Sequence, residues 1–310
     1  MDAVQWPELS LDAWLPTYAT LHRWTQIVGK TRLALSPFQN HWWHCALYVS
    51  ASGLTTSPMP FGGGNVEMEF DFLNDVLVAR TSDGRTGSLR LESKSVADFY
   101  DEYRAMLRAL DMDVWFHPAP NEVADATPFA EDRRHASYDG GAVRRWWQAL
   151  GGVDQALKQF RGEFVGKCSP SHFWWGAFDL ACTRFSGRRA PPHPGGIPNC
   201  PNYVMREAYS HECISAGWWP GMPESPVAEA AFYAYAYPEP DGCNKARIRP
   251  LAASYHTGMR EWILPYEAVR TSRDPRGMIM EFLESTYEAG ATLGHWDIEA
   301  LRSSRSGARV

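Results

Sequence analysis

Val165-Gly166-Lys167-Cys168-Ser169-Pro170-Ser171-His172-Phe173-Trp174-Trp175 repeats, in the same order, what Val28-Gly29-Lys30, Ser36-Pro37 and His41-Trp42-Trp43 present near the start of the chain. Each copy follows an amphipathic helical pattern. Before the later one, Val143, Trp146, Trp147, Leu150, Val153, Leu157, Phe160 and Phe164 recur at spacings of three and four, which puts them on one face of a helix. Before the earlier one, Tyr18, Leu21, Trp24, Ile27 and Val28 do the same, and an apolar strand to Val49 follows. The order of elements predicts an α+β fold made of two tandem, weakly duplicated sheet-plus-helix halves that form a pseudo-dimer.

Outward from these segments the pattern continues. Strands are expected over 66–72, 76–81 and 88–91 in the first half, with Asp83-Gly84 as a hairpin turn, and over 232–237, 251–255 and 261–264 in the second. The first closing helix starts at Ser95, with Asp98 three residues on as a capping pair, and places Val96, Phe99, Tyr100, Tyr103, Met106, Leu107 and Leu110 on one face. The second is capped by Asp274 with Pro275 at its first position, and Ile279, Phe282, Leu283, Thr286 and Leu293 form its apolar stripe. Pro118 to Pro128 is rich in proline and acid and blocks helix. The chain therefore divides into an N-terminal half (1–118), a linker (119–140), a C-terminal half (141–298) and a polar tail (299–310). Pockets favour the cleft between such halves.

The net charge of −6 and pI near 5.9 argue against a nucleic-acid binder, which needs a basic surface. No apolar run approaches a membrane span and Met1 to Pro7 carries no signal-peptide pattern, so a cytoplasmic location and no membrane partner are expected. Six scattered cysteines with no C-x-x-C pair fit reduced thiols better than a disulfide frame or zinc knuckle. No dinucleotide fingerprint, Walker loop or nucleophile elbow is present, and no cofactor is identified.

Chemistry concentrates after residue 165. If residues 172–185 form one central strand, His172, Trp174 and Arg184 share a face and Asp179 lies on the other. An ionised Asp179 in a core needs a partner, such as Arg184 or a backbone donor; the functional alternative is a general base or orienting carboxylate. Lys30 and Lys167 each follow a glycine expected to end a helix. There a lysine serves the helix dipole, or, if both point into the cleft, the pair forms an anion site. Arg188-Arg189-Ala190-Pro191-Pro192-His193-Pro194-Gly195-Gly196 presents His193 on a stiff turn, either as a surface crossover or as a catalytic loop. His211 and Glu212 adjoin, so on a strand they face opposite ways; a dispersed metal site from His172, His193 and Glu207 or Glu212 has no spacing signal behind it. The tryptophan pairs (Trp42-Trp43, Trp146-Trp147, Trp174-Trp175, Trp218-Trp219) and the aromatic strand 232–237 supply packing, with a minority free to wall a pocket.

Several strings are familiar beyond their chemistry: Trp6-Pro7-Glu8-Leu9, residues 18–30, Asn40-His41-Trp42-Trp43, Phe70-Asp71-Phe72, Gly166-Lys167-Cys168-Ser169-Pro170, residues 184–196 and Glu207-Ala208-Tyr209-Ser210-His211-Glu212. They resemble an uncharacterised bacterial family, the domain of unknown function 5996, over nearly the whole chain. The resemblance implies a bacterial cytoplasmic protein and no particular activity.

The residues themselves point to an enzyme acting on an anionic, partly aromatic or apolar small molecule by general acid–base or electrostatic catalysis. In this reading His193 and His211 transfer protons, with Asp179 as base or orienting group. Lys30, Lys167, Arg184 and Arg188 hold negative charge, and His172, Trp174 and Tyr209 wall the pocket. A non-catalytic ligand-binding protein, and a metal- or haem-dependent enzyme with His/Glu ligands, are the alternatives.

Overall fold

A computed structural model of the protein describes residues 6–222 and 225–304. The first five residues of the chain and the tail from residue 305 lie outside the described residues. The fold is α+β. The first half opens with α1 (Leu11–Leu35), turns through a 3-10 segment (Asn40–Cys45), and builds β1 (Tyr48–Val49), β2 (Gly53–Thr55), β3 (Met59–Phe61), β4 (Gly64–Asp71), β5 (Val76–Thr81) and β6 (Thr86–Arg90) before α2 (Val96–Ala109). The second half has α3 (Gly140–Gly162), β7 (His172–Trp174), β8 (Asp179–Arg189), α4 (Asn202–Ala208), β9 (His211–Gly221), β10 (Glu229–Tyr237), β11 (Ser254–His256) and β12 (Glu261–Pro265). It ends in α5 (Tyr266–Arg270), α6 (Pro275–Leu293) and α7 (Ile298–Leu301).

Both sheets are antiparallel. In the first, β1, β2, β4, β5 and β6 follow one another, with β3 also paired to β4; in the second the order is β11-β12-β10-β9-β8-β7. Along β4, Val66, Met68 and Phe70 are buried while Glu67 and Glu69 are half-exposed, the alternation that fixes one face inward. Helix caps form at Ser95 and Asp274, where the sequence places them, and also at Asp139. The Ser95 hydroxyl accepts from Asp98 N, Asp139 from Gly141 N and Ala142 N, and Asp274 from Gly277 N. α3 buries Val143, Trp146, Leu150, Val153, Leu157 and Phe160.

Helix α1 is buried on nearly all sides from Thr17 to Arg32, so it forms the axis against which both halves pack. One core cluster runs through α1, both sheets, α2, α3 and α6. The two sheets meet edge to edge, because Leu47 and Phe173 exchange two backbone hydrogen bonds, each 2.9 Å. The proline-rich segment after residue 118 lies on this body: Gln26 pairs both ways with the backbone of Asn121, and Phe129 is fully buried. Arg302 bridges to Phe164, so the polar tail begins attached. Among the described residues no helix is long and apolar enough to cross a membrane.

Three local expectations are corrected. Gly29 does not end a helix; α1 continues six residues beyond it. Its lack of a side chain instead admits Trp175, whose ring would lie 2.3 Å from an added Cβ. Lys30 is therefore a mid-helix residue, while Lys167 follows the end of α3 on an extended segment. The apolar strand expected after His41-Trp42-Trp43 shrinks to Tyr48–Val49, because His41 and Trp42 take φ of 59° and 61° within a 3-10 segment that runs to Cys45. Residues 172–185 are not one strand but a hairpin, β7 turning at 175–178 into β8, with Phe178 N closing onto Trp174 O. The turn resets the alternation, so Asp179 lies beside Trp174 on the face that also carries His172, and Arg184 lies on the opposite one.

Candidate functional site

One face of the second sheet packs on α3 and α6. The other carries aromatic and polar side chains. Register assigns this second face row by row: His172, Ala181, Gly217, Tyr233 and Ile263 lie abreast, then Thr183, Ser215 and Tyr235, then Phe185, Cys213 and Tyr237. At Gly217 an added Cβ would stand 2.6 Å from Tyr233 Oη; the gap lets the phenol lie down across the strand. It donates to the carboxylate of Asp179.

Asp179 belongs to a set of three carboxyl groups. Burial pushes its pKa up to about 7, the Tyr233 hydroxyl opposes that, and the nearby charge of Glu122 adds to it. Burial likewise raises Glu122 to about 7 against the pull of Lys30, and Glu261 to about 7 with help from Asp179. Oε2 of Glu261 is buried without a hydrogen-bond partner. Groups that shift one another in this way titrate as a set. Lys30, lowered to about 8 by burial, donates to Asn121 Oδ1 and lies over the Trp175 ring. His22 holds the hairpin turn beneath them through the carbonyls of Trp175 and Gly176 (3.1 and 2.8 Å), and burial lowers it to about 4.

The wall comes from the crossover 190–209. The Tyr209 hydroxyl bonds that of Tyr235 at 2.6 Å, and His193 stacks on Tyr209 and Tyr237 at 4.7 and 5.1 Å between centroids. Gly195 N donates to His193 Nδ1, which leaves the ring proton on Nε2; partial burial lowers its pKa.

At the Phe185 end, Lys167 Nζ donates to His41 Nε2 at 2.5 Å, and His41 Nδ1 donates to Ala208 O at 2.9 Å. The ammonium rests over Trp43 and Phe185. His211 lies 5.7 Å from His41, ring to ring. Burial, followed by the charges of Lys167 and Arg189, lowers its pKa. Since Ala208 and Tyr209 are consecutive, the imidazole end and the tyrosine wall are joined directly.

The structure thus brings Asp179, Lys30, Trp174, Tyr209, His193, Lys167 and His211 to one side of the sheet. Three expected members do not line the site, two because they lie elsewhere and His172 because it is sealed within the same face. Arg184 is 1% exposed on the opposite face, packed on Phe160, Phe164 and Tyr287 and bonded to Phe160 O and Glu284. It consequently shares no pocket with Lys167 and His193. Arg188 clamps Glu212 and the carbonyls of Gly294 and His295, tying β8 to the end of α6. His172 is fully buried among Trp43, Tyr48 and Trp174, and burial drives its pKa down to about 3, so it is a neutral core residue out of a ligand's reach. Glu122, Glu261 and Tyr233 join the site without having been singled out for it, as does His41 without an assigned role. The aromatic alternation of β10 was the one available signal for Tyr233; a glutamate in a proline-rich segment offers none.

Two surface depressions lie away from this face, one of about 600 Å³ beside Trp147, Gly151, Asp154 and Lys158, the other beside Lys245, Arg247, Arg249 and Glu288. Neither gathers comparable groups, so it is convergence of side chains rather than size that marks the site. Among the described residues no group of three or more His, Cys, Asp or Glu is arranged to hold a metal ion. No curated protein and no solved structure matches the chain. Residues 6–303 match the family described as a family of unknown function, DUF5996, and the chain belongs to that family.

Proposed function

We propose that the protein is an enzyme that moves protons on a small molecule held across the tyrosine-lined face between its halves, the substrate carrying negative charge and a flat or apolar part. The observation that supports this most is the set of three carboxyl groups, Asp179, Glu122 and Glu261, each displaced to about 7. An acid or base works best when its pKa lies near the working pH, and such displacements cluster at functional sites. Asp179 and Tyr233 form the proton-transfer pair. Lys167, supported by His41 and His211, holds the anionic end, and His193 with Tyr209 walls the apolar part. We further place the protein in a bacterial cytoplasm, in keeping with its six free cysteines, and expect neither nucleic acid nor membrane among its partners.

The test is a thermal-shift screen of aliphatic and aromatic carboxylates and phosphates near pH 7, with hits then followed by NMR for conversion. The reading requires a compound that wild type binds and converts. Lys167→Met should weaken its binding, and Asp179→Asn should slow conversion by roughly 10²–10⁴-fold with binding kept. Binding without conversion in wild type would make the chain a binding protein, and activity dependent on an added metal or haem would make it a cofactor enzyme.

A further inference from the structure

The extended segment carrying Lys167, Cys168 and Ser169 lies antiparallel to β8, fixed by Ser169 N to Thr183 O and Phe185 N to Lys167 O at 2.9 and 3.0 Å. Cys168 is thereby set opposite Arg184. Cys182, two residues before Arg184 on the same face, is its diagonal neighbour, and the two sulfurs are 3.5 Å apart. Among the described residues the other four cysteines show no such sulfur contact. The two thiols are unlike: Cys182 is fully buried, whereas Cys168 keeps some solvent access. The hydrogen bond from Cys182 favours the Cys168 thiolate against the effect of burial, and the nearby guanidinium groups of Arg184 and Arg161 add to it. Arg161 is held there by its bond to Ser169 O.

We propose that Cys168 and Cys182 are a dithiol oxidation site that takes a hydroperoxide as its substrate. The Cys168 thiolate attacks the peroxide O–O bond, forming the S–O bond of a sulfenic acid and releasing an alkoxide, or hydroxide from hydrogen peroxide, that picks up a proton. The Cys182 sulfur then attacks the sulfenic sulfur; the S–S bond forms, the S–O bond breaks, and hydroxide leaves as water with the Cys182 proton. Two thiols are oxidised by two electrons and one hydroperoxide is reduced to an alcohol and water. Closing the sulfurs to a bond of about 2.05 Å needs an approach of about 1.5 Å. The site is independent of the acid–base reading, since neither sulfur faces the tyrosine floor.

The reduced full-length protein is treated with hydrogen peroxide, quenched by alkylation, and analysed by intact mass and peptide mapping. The expected product has lost the mass of two hydrogen atoms and two of its six alkylatable thiols, is cross-linked between the peptides holding Cys168 and Cys182, and reverts with dithiothreitol. In Cys182→Ala the same treatment should leave a single added oxygen on Cys168; in Cys168→Ala, Cys182 should remain alkylatable after denaturation. Six intact thiols after peroxide, a link between other cysteines or between chains, or two-hydrogen loss persisting in either variant overturns the proposal. Should a variant fail to fold, the wild-type peptide map decides alone.

Discussion

Lys167 donates to Nε2 of His41 at 2.5 Å while His41 Nδ1 donates to the Ala208 carbonyl, so the lysine fixes the tautomer of the imidazole. An ammonium has only hydrogens to offer; the ring nitrogen facing it must be bare, and the single ring proton is kept at the other end. Burial first, and then the charge of Lys167, disfavour a second proton. The pair therefore combines a cation with a neutral base at the seam between the halves.

Replacing Lys167 by Met removes the repulsion and should move the His41 titration midpoint upward. Two-dimensional NMR of the imidazole nitrogens reads both this shift and the Nδ1–H tautomer in wild type. An unchanged midpoint would mean that the cation does not control the ring.

Asp179 should destabilise the native state at neutral pH. Its folded pKa of about 7 lies above the ordinary carboxylate value of 3.8, so between those values the native state binds more protons than the unfolded one and stability falls as pH rises. Asp179→Asn keeps an acceptor for Tyr233 and carries no charge. Relative to wild type it should gain about 1–4 kcal/mol between pH 4 and pH 8, measured by urea unfolding at both. A stability difference independent of pH would show a solvated carboxylate.

Arg184→Leu should cost about 2–4 kcal/mol of stability, because it strips a fully buried cation from three aromatic rings and leaves Glu284 unpaired. Ligand affinity in the surviving folded fraction should be unchanged. A selective loss of binding at full stability would restore Arg184 to the site.

Gly29→Ala should be destabilising by about 1–3 kcal/mol despite its higher helix propensity, since the new methyl meets the Trp175 ring. It should also weaken the indole bond to Cys45 O, now 2.7 Å, visible as a shift of the Trp175 Nε1–H resonance.

Secondary structure was legible wherever one face alone is buried. The stripe of α3, the caps at Ser95 and Asp274, and the alternation of β4 announce themselves because burial and capping act over three or four residues. The turn at 175–178 was not legible: Trp175, Gly176, Ala177 and Phe178 continue an apolar run, and Phe178 reverses the chain with a φ of 60° that bulky residues rarely adopt. Missing that turn moved Asp179 and Arg184 to the wrong faces. At the site, His193, His211, Lys167 and Tyr209 were visible as residues of unusual chemistry, yet their partners His41, Glu122 and Glu261 come from distant segments, and nothing in a local string records a tertiary meeting.

The exchange of backbone hydrogen bonds between Leu47 and Phe173 removes the perforation along which a two-part chain would tear. Parting the halves like a book would unzip one belt of strands and expose the indoles around α1 at the same stroke, so heating should yield one calorimetric peak rather than two.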